Sequence, residues 1–209
     1  MIAIIDYNAG NLTSVARALA HIGWSSIITD DPKKIRQSDR IIFPGVGAAG
    51  AAMESLKRSG LDMAIRNAFR DGKPILGICL GTQIIMGYSE ENQTTCLGVV
   101  EGVTRQFPPG LKSENGSALK IPHMGWNRVK NRTAHRVMSG LQEIDEFYFV
   151  HGYYPDPDNF AHVIGTTDYG ICFASIIGFK NILATQFHLE KSGRPGLLML
   201  EYFCKWTPC

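Results

Sequence analysis

The chain has 209 residues, 44% hydrophobic and 19% charged, the composition of an ordinary folded protein and not of a disordered one. Lysine and arginine total 21 against 19 acidic residues, and the resulting net charge of +2 offers no general attraction to nucleic acid or anionic membrane. The length suggests a single domain over residues 1–209.

Ile2–Ile5 is an apolar run that ends in Asp6-Tyr7-Asn8-Ala9-Gly10, which predicts a buried strand entering a turn. Leu12, Val15, Ala16, Leu19 and Ile22 keep helical spacing until Gly23. Trp24–Thr29 and Arg40–Phe43 predict two more strands, the second closed by Pro44-Gly45. Helices are expected at Ala49–Arg58 and Asp62–Arg70, a buried strand at Pro74–Ile78 and a helix at Gly81–Tyr88. Alternating strands and helices imply parallel strands joined by crossover helices. Beyond about residue 95 the pattern changes. Val99–Phe107, Arg128–Val129, Phe147–Val150, Val163–Thr166, Cys172–Ile177 and Ile182–Phe187 read as strands, and Pro195–Lys205 as a closing helix. The expected fold is α/β: an open, mostly parallel sheet flanked by helices, with an added antiparallel β portion in the second half.

The longest nearly apolar stretch, Ile171 to Phe179, falls short of the roughly 20 residues that span a bilayer. The N-terminal residues lack the basic start and long apolar run of a secretory signal, so a cytoplasmic location is expected. The five cysteines, Cys79, Cys96, Cys172, Cys204 and Cys209, lack the two-residue spacing of a zinc or redox motif and are expected to be reduced thiols. No cluster of ligands has metal spacing, and no metal or cofactor is expected.

Gly45-Val46-Gly47-Ala48-Ala49-Gly50 fits the spacing of a dinucleotide-binding loop. That reading needs an acidic residue about 20 positions on, at the end of a strand. The residues there are Ile65-Arg66-Asn67, inside an expected helix, which argues against a nucleotide site.

Gly77-Ile78-Cys79-Leu80-Gly81 has the pattern of a nucleophile elbow with cysteine as the nucleophile. Small residues two before and two after the nucleophile let strand and helix approach closely. The sulfur is then exposed at the carboxyl end of a strand, where open α/β sheets bind ligands. It also meets a helix N-terminus, whose unpaired N–H groups favour thiolate. The alternative is a buried cysteine whose glycines serve packing. A nucleophilic thiol needs a base. Among six histidines, His188 is distinguished by ending an apolar strand with Glu190 two residues on. In extended chain these two side chains share a face about 6–7 Å apart, so the carboxylate can orient the imidazole.

Cys79 with Gly77, Gly81 and Gln83, together with His188 and Glu190, resembles the class I, triad-type glutamine amidotransferases. Asp6-Tyr7, Gly10-Asn11-Leu12, Pro44-Gly45-Val46-Gly47, Ile121 to Asn127 (Ile-Pro-His-Met-Gly-Trp-Asn) and Gln186-Phe187-His188 are similar, more narrowly, to the glutaminase subunits of imidazole glycerol phosphate synthases. The resemblance implies that Cys79 attacks the side-chain amide of glutamine, that His188 and Glu190 assist, and that a thioester is hydrolysed to glutamate. It implies oxyanion donors at Leu80 and in the loop Gly45, Val46, Gly47. It places the amino-acid end of glutamine near Gln83, Glu91 and the loop His151-Gly152-Tyr153. Three positions depart from the family pattern: Leu189 replaces the proline between catalytic histidine and glutamate, Gly152 replaces a hydroxyl residue, and Asn8 stands where glycine is common.

Ammonia released into water would be protonated and lost, so the resemblance also implies a synthase partner. In the family this is a (β/α)8-barrel cyclase that makes imidazole glycerol phosphate, in a heterodimer. The candidate partner-facing residues are Asn11, in the turn Asn8–Asn11, and His123, Met124, Trp126 and Asn127. Filling the domain core is the other reading of Trp126. Three other readings stay open at this stage. The chain could be a paralogous glutaminase subunit feeding an enzyme that aminates surface sugars. It could be a non-catalytic module on the same fold, or a cysteine peptidase.

Overall fold

The computed structural model describes residues 1–8 and 10–208. Ala9, in the expected turn, and Cys209, among the expected free thiols, lie outside the described residues.

The first half alternates strands and helices. Strand β1 (Ile2–Ile5) leads to helix α1 (Leu12–His21), then β2 (Ser26–Thr29), α2 (Pro32–Gln37), β3 (Arg40–Gly45), α3 (Ala49–Ser59), α4 (Leu61–Arg70), β4 (Ile75–Cys79) and α5 (Leu80–Ile84). The second half contains β5 (Tyr88–Ser89), β6 (Thr94–Thr95), β7 (Gly102–Gln106), β8 (His123–Arg128), β9 (Lys130–Asn131), β10 (Glu146–His151) and β11 (Tyr153–Pro157). It closes with β12 (Val163–Asp168), β13 (Cys172–Phe179), β14 (Ile182–Thr185) and α6 (Gly193–Lys205).

Eight strands form one sheet in the order β2-β1-β3-β4-β14-β13-β12-β9. The first five run parallel, and β13, β12 and β9 extend the same sheet antiparallel. The added antiparallel portion is thus partly a continuation of the main sheet. The remainder is a four-stranded sheet, β11-β7-β5-β6, and the pair β10-β8. The central strands are buried on both faces, which is why they read as unbroken apolar runs. Their side chains still alternate between two cores. Ala3, Ile5, Ile41, Phe43 and Ile75 face α3, α4 and α5, while Ile2, Ile4, Ile42, Leu76 and Ile78 face α1 and α6.

Several boundaries differ from expectation. The helix expected to reach Tyr88 ends at Ile84, and Tyr88 opens β5. Val99 and Val100 donate to the Ile85 carbonyl instead of joining a strand, so β7 starts at Gly102. Helix α2 had a local signal: Asp31 caps it, accepting from Lys33 N at 2.8 Å, and Pro32 opens it. With one buried side chain, Ile35, it shows no apolar periodicity to find. Among the described residues no helix is long and apolar enough to cross a membrane.

The elbow rests on glycine. A methyl group on Gly81 would collide with the carbonyl of Phe43 in β3, and one on Gly77 would lie 2.9 Å from Ala184 Cβ in β14. Gly81→Ala is therefore expected to destabilise the fold by about 3 kcal/mol or more, because backbone and not a flexible side chain blocks the space. Denaturant melts of purified Gly81→Ala and Gly152→Ala check this, since Gly152 has no positive φ and an added methyl there meets only Ile121 Cγ2 at 3.9 Å.

Candidate functional site

Cys79 ends β4 with φ 53 and ψ −108, a conformation that lifts its side chain off the strand as α5 begins. Parallel pairing sets its neighbours. Gly45 of β3 is in register with Cys79, and Thr185 of β14 with Ile78. The loop Gly45–Gly47 therefore arrives on one side of the sulfur, and the segment from Gln186 to Glu190 on the other. Cys79 Sγ lies 4.0 Å from the Val150 carbonyl and 3.8 Å from Gln186 Nε2.

His188 and Glu190 are each 3% exposed, and His188 Nδ1 donates to Glu190 Oε1 at 2.8 Å. That bond leaves Nε2 free to face Cys79. Nε2 has no partner in hydrogen-bond geometry, yet the sulfur is near enough to act on it. Such bonds often align only when substrate is present. Burial disfavours the imidazolium, but bonding and charge from Cys79 and Glu190 outweigh it and raise His188 to about 10. The backbone of His188 is held as firmly as its ring. Its N–H donates to the Tyr148 carbonyl at 2.9 Å, and its carbonyl accepts from Ser192 Oγ at 2.5 Å. Ser192, which in turn accepts from Tyr148 N at 3.0 Å, carries no sequence signal of this role.

Burial pushes Cys96 up to about 11 and Cys204 up to about 12, and Cys172 is exposed. Among the described residues no group of three or more His, Cys, Asp or Glu is placed to hold a metal ion.

The expected oxyanion residues cluster at Cys79: Leu80 follows it directly, Gly45 pairs with it, Val46 is exposed and Gly47 has φ 101. Gln83 is buried, donating to the Tyr153 carbonyl at 2.9 Å and to Gln186 Oε1 at 3.1 Å. Glu91 Oε2 accepts from Ala49 N at 2.7 Å, so this acid caps α3 just after the glycine loop. Its charge is felt by Tyr153, whose hydroxyl is raised first by burial and then by Glu91 and Glu90. Gly152 is half-buried beside Tyr153.

Two expected surface residues are corrected. His123 is 2% exposed, stacked on Tyr169 at 3.9 Å and Phe149 at 4.7 Å between ring centres. Asn127 is half-buried and donates to the Asp168 carbonyl at 2.9 Å. Strand alternation puts both on the inner face of β8, while Met124 and Trp126 point outward, 62% and 55% exposed. Trp126 therefore does not fill the core. Asn11 is exposed and caps α1, accepting from Ser14 N at 3.4 Å. Sequence reasoning treated Gln186, fully buried between Gln83 and Cys79, and Tyr7 only as parts of motifs and gave neither a role. The Tyr7 hydroxyl is buried against Gly45 with no partner, and burial and then Cys79 raise it.

Glu190→Gln removes one support of the imidazolium, so the titration of His188, followed by 15N NMR, should move down from about 10. In the parent chain the sign is that of a raised pKa. The stabilisation is complete below the ordinary histidine value of 6.5 and is lost as pH rises through about 10. Tyr7→Phe deletes an unpartnered buried hydroxyl and should raise unfolding stability by about 1 kcal/mol in urea melts. A loss of stability would show that the hydroxyl has a partner in solution.

The glutamine amidotransferase class-I family profile matches residues 3–205. The imidazole glycerol phosphate synthase subunit HisH of Nitratidesulfovibrio vulgaris (strain DP4) is 48% identical over 206 residues, covering 99% of this chain and 96% of that one. HisH of Neisseria gonorrhoeae is 42% identical over 210 residues, covering 98% and 99%. Among solved structures, PurLQS from Thermotoga maritima superposes with a TM-score of 0.74 at 16% identity, covering 98% of this chain and 97% of that one, a likeness of fold. The chain belongs to the class-I glutamine amidotransferases and, within them, to the family of imidazole glycerol phosphate synthase HisH subunits.

Proposed function

We propose that this chain hydrolyses glutamine to glutamate and ammonia through a thioester on Cys79 and supplies the ammonia for synthesis of imidazole glycerol phosphate in histidine biosynthesis. The observation that carries the reading is the buried His188–Glu190 pair beside the cysteine elbow. The Cys79 thiolate attacks the side-chain carbonyl carbon of glutamine, and the C–S bond forms as the carbonyl electrons move to oxygen. Leu80 N–H and an amide of the Gly45–Gly47 loop stabilise that oxyanion, each donor worth about 3 kcal/mol. As the C–N bond breaks, imidazolium His188 gives its Nε2 proton to the departing ammonia. His188 then takes a proton from water, whose oxygen attacks the thioester and releases glutamate and the thiolate. Glu190 keeps the proton on Nδ1 and stabilises the cation in both halves. Gln83, Glu91, Gly152 and Tyr153 surround the space for the amino-acid end of glutamine.

Met124 and Trp126, exposed on β8, with Asn11 at the start of α1, form the surface offered to the partner, a (β/α)8-barrel cyclase in a heterodimer. An exposed tryptophan and methionine are the residue types that anchor interface cores. The reading places the chain in the cytoplasm and needs neither metal nor cofactor.

Glutamate release is the test, measured with the chain alone, with the cyclase, and with cyclase plus its nucleotide substrate. Activity is expected to rise with both additions and to vanish in Cys79→Ala. No glutamate under any condition, with Cys79 unreactive toward a glutamine-like electrophile, sinks the reading. Labelling of Cys79 without stimulation by the cyclase would retain the glutaminase and reject this partner.

A further inference from the structure

A chain of buried hydrogen bonds joins β8 to the nucleophile. His151 Nδ1 lies 2.7 Å from the Tyr153 carbonyl. A carbonyl only accepts, so Nδ1 carries the proton and Nε2 of a neutral ring is bare. His151 Nε2 is 3.0 Å from His123 Nδ1, which must then be the donor. His123 Nε2 is left as an acceptor, and it faces Asn127 Nδ2 at 3.4 Å. Both rings are neutral: burial holds His123 down at about 4 and His151 at about 3. On the far side, the Tyr153 carbonyl also accepts from Gln83 Nε2 at 2.9 Å. The second hydrogen of that amide goes to Gln186 Oε1 at 3.1 Å, and Gln186 Nε2 points at Cys79 Sγ, 3.8 Å away. The carbonyl fixes the direction of every bond, so neither ring can flip or change tautomer without breaking its neighbours' bonds.

The catalytic steps above use neither His123 nor His151. A buried pair of histidines that only filled space would be better replaced by apolar rings, given the cost of burying polar groups. Strand β8 pairs only with β10 among the described residues, so its other edge carries no ladder bonds and side chains alone tie it to the rest of the molecule. It carries His123 on its inner face and Met124 and Trp126 on its outer face.

We propose that His123 and His151 are positioning residues for Cys79. They transmit the placement of β8 through the Tyr153 carbonyl, Gln83 and Gln186 to the sulfur, so that a partner seated on Met124 and Trp126 sets the nucleophile. What moves β8 rests on the partner reading above; the chain of bonds does not.

The test replaces His123 with Phe, which keeps the stack on Tyr169 and Phe149 but has no donor for His151. His123→Asn is the conservative variant, because its Nδ2 takes the place of Nδ1. Three quantities are read on folded protein: the rate of Cys79 alkylation by iodoacetamide in the isolated chain, kcat and KM for glutamine in the cyclase complex, and cyclase affinity. His123→Phe should slow alkylation and lower kcat about tenfold while KM and cyclase affinity hold, as expected of a displaced nucleophile. His123→Asn should recover most of both rates. Unchanged alkylation and kcat in the Phe variant overturn the proposal, and so does an Asn variant that folds, binds and is as slow as Phe. Asn127→Leu, at the half-buried end, should slow the same two rates, and it decides the matter if the Phe variant does not fold. If the cyclase fails to stimulate the parent chain, the partner reading falls, and the alkylation arm still decides whether the histidines position Cys79.

Discussion

The site depends on how closely the first turn of α5 lies against the sheet. The α-carbon of Gly81 abuts the carbonyl of Phe43, and that of Gly77 leaves no room for a methyl beside Ala184. At this separation the chain leaves β4 through a sharp bend, and Cys79 takes a left-handed φ of 53 with ψ −108. Such a conformation costs on the order of 1–3 kcal/mol in a non-glycine residue and persists only where the surroundings overdetermine it. Here β3 and β14 clamp β4 from both sides, and Thr82 Oγ1 donates to the Thr185 carbonyl at 2.6 Å across the turn. The same register that holds the bend delivers the glycine loop to one side of the sulfur and His188 to the other.

Electrostatics then separates three buried histidines that composition cannot tell apart. Burial lowers His123, His151 and His188 alike. At His188 the Glu190 carboxylate and the Cys79 sulfur reverse the sign. At His151 the backbone bond to Tyr153 favours the cation, but burial dominates and the neighbouring His123 and His188 add to it. One imidazole is thus suited to carry a proton through a reaction cycle, and two are suited to serve as fixed neutral links. The rule that environment sets the acid–base role is at work within one small volume.

The departures from the family pattern have local explanations. Asn8 has φ 62, the region where glycine is easiest and asparagine among the best tolerated of the others. Its N–H donates to Asp6 Oδ1 at 3.0 Å, which steadies the turn that leads into α1. Leu189 lacks the fixed φ of proline, but it is fully buried and starts the short 3₁₀ turn Leu189–Lys191. Packing and the Ser192 bonds hold the histidine–glutamate segment there. Gly152 leaves open space, since a Cβ would meet only Ile121 Cγ2 at 3.9 Å, so the missing hydroxyl reflects no steric exclusion.

The parallel core and the cysteine elbow, with a histidine and glutamate two residues apart, were legible in the sequence alone. A strand buried on both faces must be apolar throughout, and an elbow must have glycines two residues either side, so Pro74–Ile78 and Gly77 to Gly81 carry their own evidence. His188 and Glu190 lie close in sequence, and their pairing needs only an extended chain. Tertiary structure alone decided which face of β8 looks inward. Alternation puts His123 and Asn127 opposite Met124 and Trp126, but it does not say which pair is covered. That depended on Tyr169 and Phe149 closing over His123. It also decided the place of Gln83, Gln186 and Ser192, whose hydrogen-bond partners come from distant segments. A polar side chain carries no local mark of the partner it will meet. Only packing, which makes an unpaired buried group costly, selects that partner.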